Sequence, residues 1–251
     1  MNQILFEDRG VTLTASSNSA ANGVLILTLD RKGNVFNPEL VASLNAALDI
    51  VDDRDHPKAL VITGKGKFFS NGLDLSFLQS KTTEEVNSMI EGVWRVLGRI
   101  LVMDCRTVAG INGHAFGAGL FLALACDFRI MRTKRGYLNW PELNLGMRLA
   151  KGFSELTKAK VTDPKLLREG VLCGKRYTSS EAFQRGLVDE ECSVEDLIVK
   201  AEQLAIAGFA ENLKLQFFNP HSFQEMKIEL YTDAYRALSM GKVDSLPQSR
   251  L

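Results

Sequence analysis

The sequence predicts an α/β fold with a helical C-terminal region, and two patterns support this prediction. Short apolar runs typical of buried parallel strands alternate with segments whose apolar residues recur at helical spacing. From Pro164 onward the pattern is mostly helical. Alternating strands and helices are typical of sheets covered by helices.

The elements follow in chain order. Apolar or β-branched runs bounded by turn residues predict strands at residues 3–6, 11–14, 24–29, 59–63, 107–111 and 127–132. Helical spacing predicts helices at residues 38–51, 83–101, 118–125, 179–186, 194–207 and 223–240. Asn37 and Pro38 provide an N-cap and a first-turn proline for the first of these helices. Residues 64–72 and 147–153 are predicted loops, the second one bordering a binding pocket.

Composition excludes several classes of protein. The 251 residues are 45% apolar and carry 30 basic and 30 acidic side chains, so the chain is neither disordered nor a general nucleic-acid binder. The longest apolar run, residues 115–126, is too short to span a bilayer, and the N-terminus lacks a basic-then-apolar signal segment. Four scattered cysteines and three separated histidines predict reduced thiols in an intracellular compartment and no metal site.

Two glycine-rich loops follow predicted strands. The first contains Ser70, Asn71 and Gly72, and the second, residues 113–119, opens an apolar helix. Neither has the spacing of a phosphate or dinucleotide loop, and each alone could be a simple turn. Loops after parallel strands meet at one sheet edge, where α/β proteins bind ligands. Glycines there let two backbone N–H groups approach one negatively charged oxygen.

Four ordered motifs resemble the enoyl-CoA hydratase/isomerase (crotonase) superfamily over about residues 20–192. They are FFSNGLDL, NGHAFGAGLFLALACDFRI, WPELNLGM and SSEAFQRGLVDE. The FFSNG-x-DL form and the KAKV…GLVD stretch are most similar to its peroxisomal Δ3,Δ2-enoyl-CoA isomerase branch. The resemblance implies a crotonase-like ββα spiral core at residues 1–192. It also implies a helical oligomerisation region at 193–246, forming a trimer or hexamer, and a tail at 247–251.

The resemblance also implies the roles of individual residues. The substrate would be an acyl-CoA, no cofactor would be needed, and Glu142 would be the single acid/base. The backbone N–H groups of Leu73 and Ala118 would hold the thioester oxygen. The implied substrate-binding residues are Ser70, Asn71, Gly72, Asp74, Gly117, Phe121 and Trp140, and the implied CoA-binding residues are Lys32, Val35 and Lys67.

Several of these residues also have a structural interpretation. Glu142 could simply complement a helix dipole. Asp74 is expected to fix its loop or cap the next helix rather than abstract protons. Phe121 and Trp140 belong to types more often found in a core, although both are expected near the acyl chain. His114 is expected to stabilise its own loop, and the basic residues assigned to CoA could be solvated surface side chains.

The acids distinguish reactions within the superfamily. Its hydratases use two glutamates, and Phe121 stands at the first of those positions. Ala150 stands where dienoyl-CoA isomerases carry a further acid. One base suffices to move a double bond, so the sequence predicts isomerisation of 3-enoyl-CoA to trans-2-enoyl-CoA in fatty-acid β-oxidation. The alternatives are a hydratase, a thioester hydrolase or a non-catalytic acyl-CoA-binding subunit.

The last three residues, Ser249, Arg250 and Leu251, are a conservative variant of the Ser-Lys-Leu peroxisomal address. They predict a peroxisomal import receptor as a partner and the peroxisome or a related microbody as the location. A chance match of three residues is the alternative.

Overall fold

The computed structural model describes residues 3–208, 214–217 and 219–243. The strands are β1 (Gln3–Asp8), β2 (Val11–Ala15), β3 (Val24–Leu29), β4 (Ala59–Gly64), β5 (Phe68–Ser70), β6 (Arg106–Ile111), β7 (His114–Phe116), β8 (Phe128–Arg132), β9 (Leu138–Asn139), β10 (Arg176–Tyr177) and β11 (Glu190–Cys192). The helices are α1 (Pro38–Asp52), α2 (Leu75–Ser80), α3 (Thr83–Leu101), α4 (Ala118–Ala125), α5 (Lys151–Lys160), α6 (Pro164–Leu167), α7 (Ser179–Gln184), α8 (Leu197–Ala207), α9 (Pro220–Leu230) and α10 (Thr232–Ser239). Single helical turns add Ser19–Ala21, Lys32–Asn34, Leu143–Leu145 and Arg168–Leu172.

The strands form two sheets. The larger has the order β1-β2-β3-β4-β6-β8-β11, with parallel pairing from β3 to β11 and antiparallel pairing of β1, β2 and β3. The smaller has the order β10-β9-β7-β5. The chain passes from a strand of the large sheet to a strand of the small sheet and then to a helix. It does so through β4, β5 and α2–α3, then through β6, β7 and α4, and then through β8, β9 and α5. This repeat confirms the predicted ββα spiral.

The central strands are apolar because both of their faces are covered. Every residue of β4 and β6 is buried. Leu60 and Ile62 belong to the main core with α1, α3 and α4, whereas Val61 and Val108 face α8 on the other side of the sheet. Alternate side chains of one strand therefore enter two different hydrophobic layers.

Four sequence predictions about elements are corrected by the structure. The predicted loop at 64–72 contains β5, and the second glycine loop at 113–119 contains β7. Helix α5 begins at Lys151, inside the predicted loop at 147–153. The predicted helix at 223–240 is two helices, α9 and α10, separated at Tyr231. The other predicted strands and helices are present, most of them with ends shifted by one to three residues.

The C-terminal helices lie against the rest of the chain. Helix α10 packs on α3 and α5, and α8 packs on the large sheet. The predicted boundary at residue 192 stays a prediction, and the tail at 247–251 lies outside the described residues. No helix within the described ranges is long and apolar enough to cross a membrane.

Candidate active site

In the first glycine loop, the residues on either side of Leu73 form backbone hydrogen bonds with Phe36. The Phe36 N–H donates to the Gly72 carbonyl oxygen (2.8 Å), and the Asp74 N–H donates to the Phe36 carbonyl oxygen (2.9 Å). In such parallel pairing the residue between the two bonded groups directs its own N–H to the opposite side. Among the described residues no acceptor takes the Leu73 N–H. That N–H is therefore available to a ligand.

The second glycine loop opens helix α4 beside the first. Gly117 has a positive φ of 50°, and its N–H donates to the Asn139 carbonyl oxygen (3.1 Å). Ala118 is the first helical residue, and its N–H is one of those that a helix leaves unpaired at its N-terminus. A Cβ atom on Gly72 (φ 88°) would lie 2.7 Å from the Phe116 carbonyl oxygen and 3.5 Å from the Ala118 nitrogen. The two loops touch because residue 72 has no side chain.

Glu142 lies next to these loops. It precedes the turn Leu143–Leu145, and its carbonyl oxygen accepts the Met147 N–H at 2.8 Å. Its Oε1 atom is 3.5 Å from the position that a Cβ atom on Gly117 would occupy. Its Oε2 atom is buried and has no hydrogen-bond partner among the residues that the structure describes. Burial raises the pKa of the Glu142 carboxyl group to about 7, despite an opposing backbone hydrogen bond.

Asp74 lies on the same loop but in a different environment. Its side chain accepts hydrogen bonds from the N–H groups of Ser76 (3.0 Å) and Phe77 (3.3 Å), and so caps α2 as expected. The Ser76 hydroxyl, followed by backbone hydrogen bonds from Phe77 and Ser76, holds the pKa of Asp74 below its ordinary value despite partial burial. Asp74 is thus an ionised cap, whereas Glu142 is a poorly solvated acid.

Ser70 and Asn71 shape the first loop. The buried Ser70 hydroxyl donates to the Asn34 carbonyl oxygen at 2.7 Å and accepts the Gly72 N–H at 3.3 Å. The Asn71 N–H donates to the Gly33 carbonyl oxygen at 2.9 Å, while its side chain is exposed. Contact of either residue with a substrate stays a prediction.

Asn34 is a residue that the sequence analysis missed. It is fully buried, and its amide nitrogen donates to the carbonyl oxygens of Leu29, Phe68 and Phe69 at 3.0–3.2 Å. It therefore connects the end of β3 to β5, directly before the first loop. A polar amide next to the apolar Val35 and Phe36 was the signal available in the sequence.

Phe121 and Trp140 lie in the hydrophobic core. Phe121 is fully buried and stacks on Phe153 with ring centroids 4.4 Å apart. Trp140 is 1% exposed, and its indole N–H donates to the Thr157 hydroxyl at 3.3 Å. These contacts fit the structural interpretation of both residues, and their contact with an acyl chain stays a prediction.

A cavity of about 520 Å³ lies beside the first loop. It brings Lys32 and Val35 together with Asn71 and Asp74, and their contact with a ligand stays a prediction. Its full lining is Arg31, Lys32, Gly33, Val35, Asn37, Phe68, Asn71, Asp74 and Ser76. Lys67 is not part of this lining. Its ammonium group lies 5.4 Å from the centre of the ring of Phe68, and Phe68 does line the cavity. Within the described part of the chain, no three His, Cys, Asp or Glu residues are grouped as metal ligands would be.

The spiral of strand–strand–helix units, with an acid placed beside the start of α4, defines an enzyme of the crotonase fold. The sequence profile of the enoyl-CoA hydratase/isomerase family matches residues 19–235. The chain belongs to this family.

Individual relatives support the assignment. The chain is 32% identical over 219 residues to the peroxisomal enoyl-CoA delta isomerase 2 of Arabidopsis thaliana, covering 84% of this chain and 89% of the relative. It is 31% identical over 196 residues to a carnitinyl-CoA dehydratase of Salmonella arizonae, covering 77% and 74%. An enoyl-CoA isomerase structure from Mycobacterium tuberculosis superposes with a TM-score of 0.81 at 26% identity, covering 92% and 95%.

Proposed function

We propose that the protein converts 3-enoyl-CoA to trans-2-enoyl-CoA, with Glu142 as the single acid/base. The observation that carries this proposal is the state of Glu142: a buried, unpartnered carboxylate oxygen beside Gly117 and a pKa raised to about 7. A group with a pKa near neutrality can both take up and release a proton during one turnover.

The proposed reaction moves one proton and one double bond. The Glu142 carboxylate removes a proton from C2 of the bound 3-enoyl thioester. The electrons of that C–H bond form a C1–C2 double bond while the carbonyl π electrons move onto the thioester oxygen, which gives a dienolate that still has its C3–C4 double bond. The N–H groups of Leu73 and Ala118 stabilise this dienolate. In the second step the carbonyl re-forms and the C1–C2 electrons form the C2–C3 double bond, while the C3–C4 π electrons take up the proton that Glu142 returns to C4.

The environment of α4 supports isomerisation over hydration. Adding water across a double bond favours two carboxyl groups that hold and shuttle the water. On the inner turn of α4 the corresponding residue is Phe121, whose ring stacks on Phe153. The second candidate function is hydration or dehydration, and the similarity to a carnitinyl-CoA dehydratase favours it. The relatives named as delta isomerases favour the first.

The proposal includes a site for the CoA part of the substrate. The cavity of about 520 Å³ lies next to Leu73 and is lined by Arg31 and Lys32, whose positive charges suit CoA phosphates. Val35 would contact the pantetheine arm, and Lys67 would add a further charge at the rim beside Phe68.

We also propose a peroxisomal location and a homo-oligomeric state. The C-terminal residues Ser249, Arg250 and Leu251 support import into peroxisomes, as does the similarity to an Arabidopsis relative named peroxisomal. Exposed apolar side chains on α9 and at Met240, directly after α10, support self-association.

The proposed function is tested with the Glu142→Gln variant and two substrates, 3-hexenoyl-CoA and 2-hexenoyl-CoA. The native protein is expected to form the conjugated thioester from the first substrate and to leave the second unhydrated. Because glutamine keeps the shape but cannot take up a proton, the variant is expected to lose roughly 10²–10⁴-fold in kcat, the usual contribution of a general acid/base.

The matched control is Glu84→Gln, which removes an exposed carboxylate from the first turn of α3. It is expected to keep native activity. Hydration of 2-hexenoyl-CoA by the native protein would favour the second candidate. Release of free CoA would indicate a thioester hydrolase, and an active Glu142→Gln variant would refute the proposed mechanism.

A further inference from the structure

A second cavity lies at the opposite end of the small sheet from the candidate active site. It has a volume of about 320 Å³. Its lining comes from the first residue of β7, the turn between β8 and β9, and the start of α7. The lining residues are His114, Lys134, Arg135, Gly136, Tyr137, Thr178 and Ser179.

The topology separates this cavity from the two glycine loops. His114 begins the three-residue strand β7, whereas Gly117 and Ala118 follow its last residue. At about 3.3 Å per residue, His114 and Gly117 are roughly 10 Å apart along the chain. The cavity of about 520 Å³ lies beside the edge strand β5, while the smaller cavity involves β7, β9 and the end of β10. The two cavities are neighbours, separated by the rings of Phe68, which lines the larger one, and His114, which lines the smaller one, with centroids 5.3 Å apart.

The charge around the smaller cavity is positive. Lys134 and Arg135 line it, and Lys67 and Arg176 lie close enough to act electrostatically on His114. None of these four basic side chains forms an ion pair with a carboxylate of the described residues. Uncompensated cations around a concave surface attract a negatively charged ligand.

The neighbouring carboxylate of Glu181 does not neutralise this charge, because it is already engaged. Its Oε2 atom accepts the Thr178 N–H and hydroxyl, both at 3.0 Å. Its Oε1 atom pairs with Lys175 at 3.3 Å. The Thr178 hydroxyl is engaged with Glu181, and the cavity retains the Ser179 hydroxyl, an imidazole and cationic donors without an acid directed at them.

His114 supplies a second, independent observation. Its Nδ1 atom is buried and has no hydrogen-bond partner in the described part of the protein. Its ring lies among those of Phe68, Phe116 and Tyr137, with centroids 5.0–5.6 Å away. Burial, followed by the charges of Lys67, Arg135 and Arg176, lowers the pKa of His114. A buried polar atom without a partner is costly, and a bound ligand would relieve that cost.

We propose that the cavity lined by His114, Lys134 and Arg135 binds a phosphate group. The planar guanidinium of Arg135 matches two phosphate oxygens, and the ammonium group of Lys134 adds a point charge. Ser179, only 7% exposed, adds a hydroxyl at the wall. The phosphate is either free or carried by a nucleotide, whose base would stack on the exposed ring of Tyr137.

The test is a titration of the full-length protein with inorganic phosphate, and separately with AMP, at constant ionic strength. Binding is followed by the NMR signals of the three histidine rings. The His114 signals are expected to shift on binding, whereas those of His56 and His221 stay in place. Arg135→Gln and Lys134→Gln are expected to weaken binding roughly tenfold or more, as loss of a hydrogen bond between charged groups does.

The matched control is Arg54→Gln, which removes the same charge from an exposed arginine between α1 and β4. It is expected to bind phosphate as the native protein does. Tighter binding of AMP than of phosphate identifies a nucleotide as the source, and equal binding identifies free phosphate. The proposal is overturned if the His114 signals stay fixed, or if correctly folded Arg135→Gln and Lys134→Gln bind as tightly as the control. The Arg135→Gln and Lys134→Gln variants distinguish this site from the proposed CoA site, because they leave its basic residues Arg31 and Lys32 in place.

Discussion

Glu142 and Asp74 are two carboxylates close to the same glycine loops, and their surroundings give them opposite acidities. Hydrogen bonds from Ser76 and Phe77 stabilise the charged form of Asp74 and lower its pKa. Glu142 has a buried oxygen with no donor, and the pKa rises to about 7. Environment rather than residue type therefore separates an ionised capping acid from one that can hold a proton near neutral pH.

The pKa of Glu142 predicts how the proposed isomerase activity depends on pH. The carboxylate form removes the first proton, so a raised pKa means that this form is lost as the pH falls through 7. We expect kcat/KM, which reports the acid of the free enzyme, to be level above pH 8 and to fall about tenfold for each unit below 7. The measurement is kcat/KM for 3-hexenoyl-CoA between pH 5 and 9. A profile that stays flat down to pH 5 would show that Glu142 titrates near its ordinary value.

At the level of single residues, the resemblance to the family pointed to the backbone N–H groups of Leu73 and Ala118. In the structure the Leu73 N–H has no acceptor among the described residues, and Ala118 is the first residue of α4. Their role in holding a substrate stays a prediction. The side chains of Phe121 and Trp140 depend on tertiary neighbours, Phe153 and Thr157, that are distant in sequence. No local pattern indicates such partners.

Some secondary-structure elements also could not be predicted from the local sequence pattern. Strands β5 and β7 have only three residues each, too few for an alternating pattern to be recognised. The break between α9 and α10 has no glycine or proline signal. There the Tyr231 hydroxyl accepts a hydrogen bond from Lys160 at 3.3 Å, and the Lys160 ammonium lies 4.6 Å from the Tyr231 ring. Tertiary contact thus accompanies the break, whereas the capped helices α1 and α3 were predictable from sequence.

Helix α9 is attached to the core by a buried charge. The Lys227 ammonium donates to the carbonyl oxygens of Met103 (3.0 Å) and Cys105 (3.1 Å) and pairs with Asp127 at 2.8 Å. Removing one partner of a buried ion pair leaves the other uncompensated. We expect Lys227→Met to lower the free energy of unfolding by about 3–5 kcal/mol, measured by urea denaturation.

The control for this prediction is Lys165→Met, which removes an exposed lysine 3.9 Å from Glu169. An exposed pair contributes about 0–1 kcal/mol, so this variant is expected to remain close to the native stability. Equal effects of the two substitutions would contradict the stabilising role of Lys227. The double variant Lys227→Met with Asp127→Asn is expected to recover part of the loss, because it also removes the stranded carboxylate.

The whole molecule has a net charge of zero, but its charged side chains still create local electric fields. The 30 basic and 30 acidic side chains are unevenly placed, and two cavities carry basic residues. Composition therefore correctly predicted an ordinary folded chain but gave no information about where anions would bind. Periodicity predicted the α/β class, whereas the ββα spiral was implied by the family resemblance of four ordered motifs, because β5 and β7 are too short to be recognised from sequence.

The outer surface of the C-terminal helices predicts self-association. Met226 and Leu230 lie one turn apart on α9 and are 62% and 71% exposed, and Met240 after α10 is 73% exposed. Apolar groups grouped on one surface favour burial against another subunit. We expect sedimentation velocity to give a mass of three or six times 27.8 kDa. Leu230→Asp is expected to shift the mass toward the single chain, because it places a charge in the buried interface.

The matched control is Ile4→Asp, which adds the same charge at an exposed apolar position on β1 and is expected to leave the mass unchanged. A native protein that sediments as a single chain at all concentrations, or a Leu230→Asp variant that assembles as the control does, would contradict an interface on this surface.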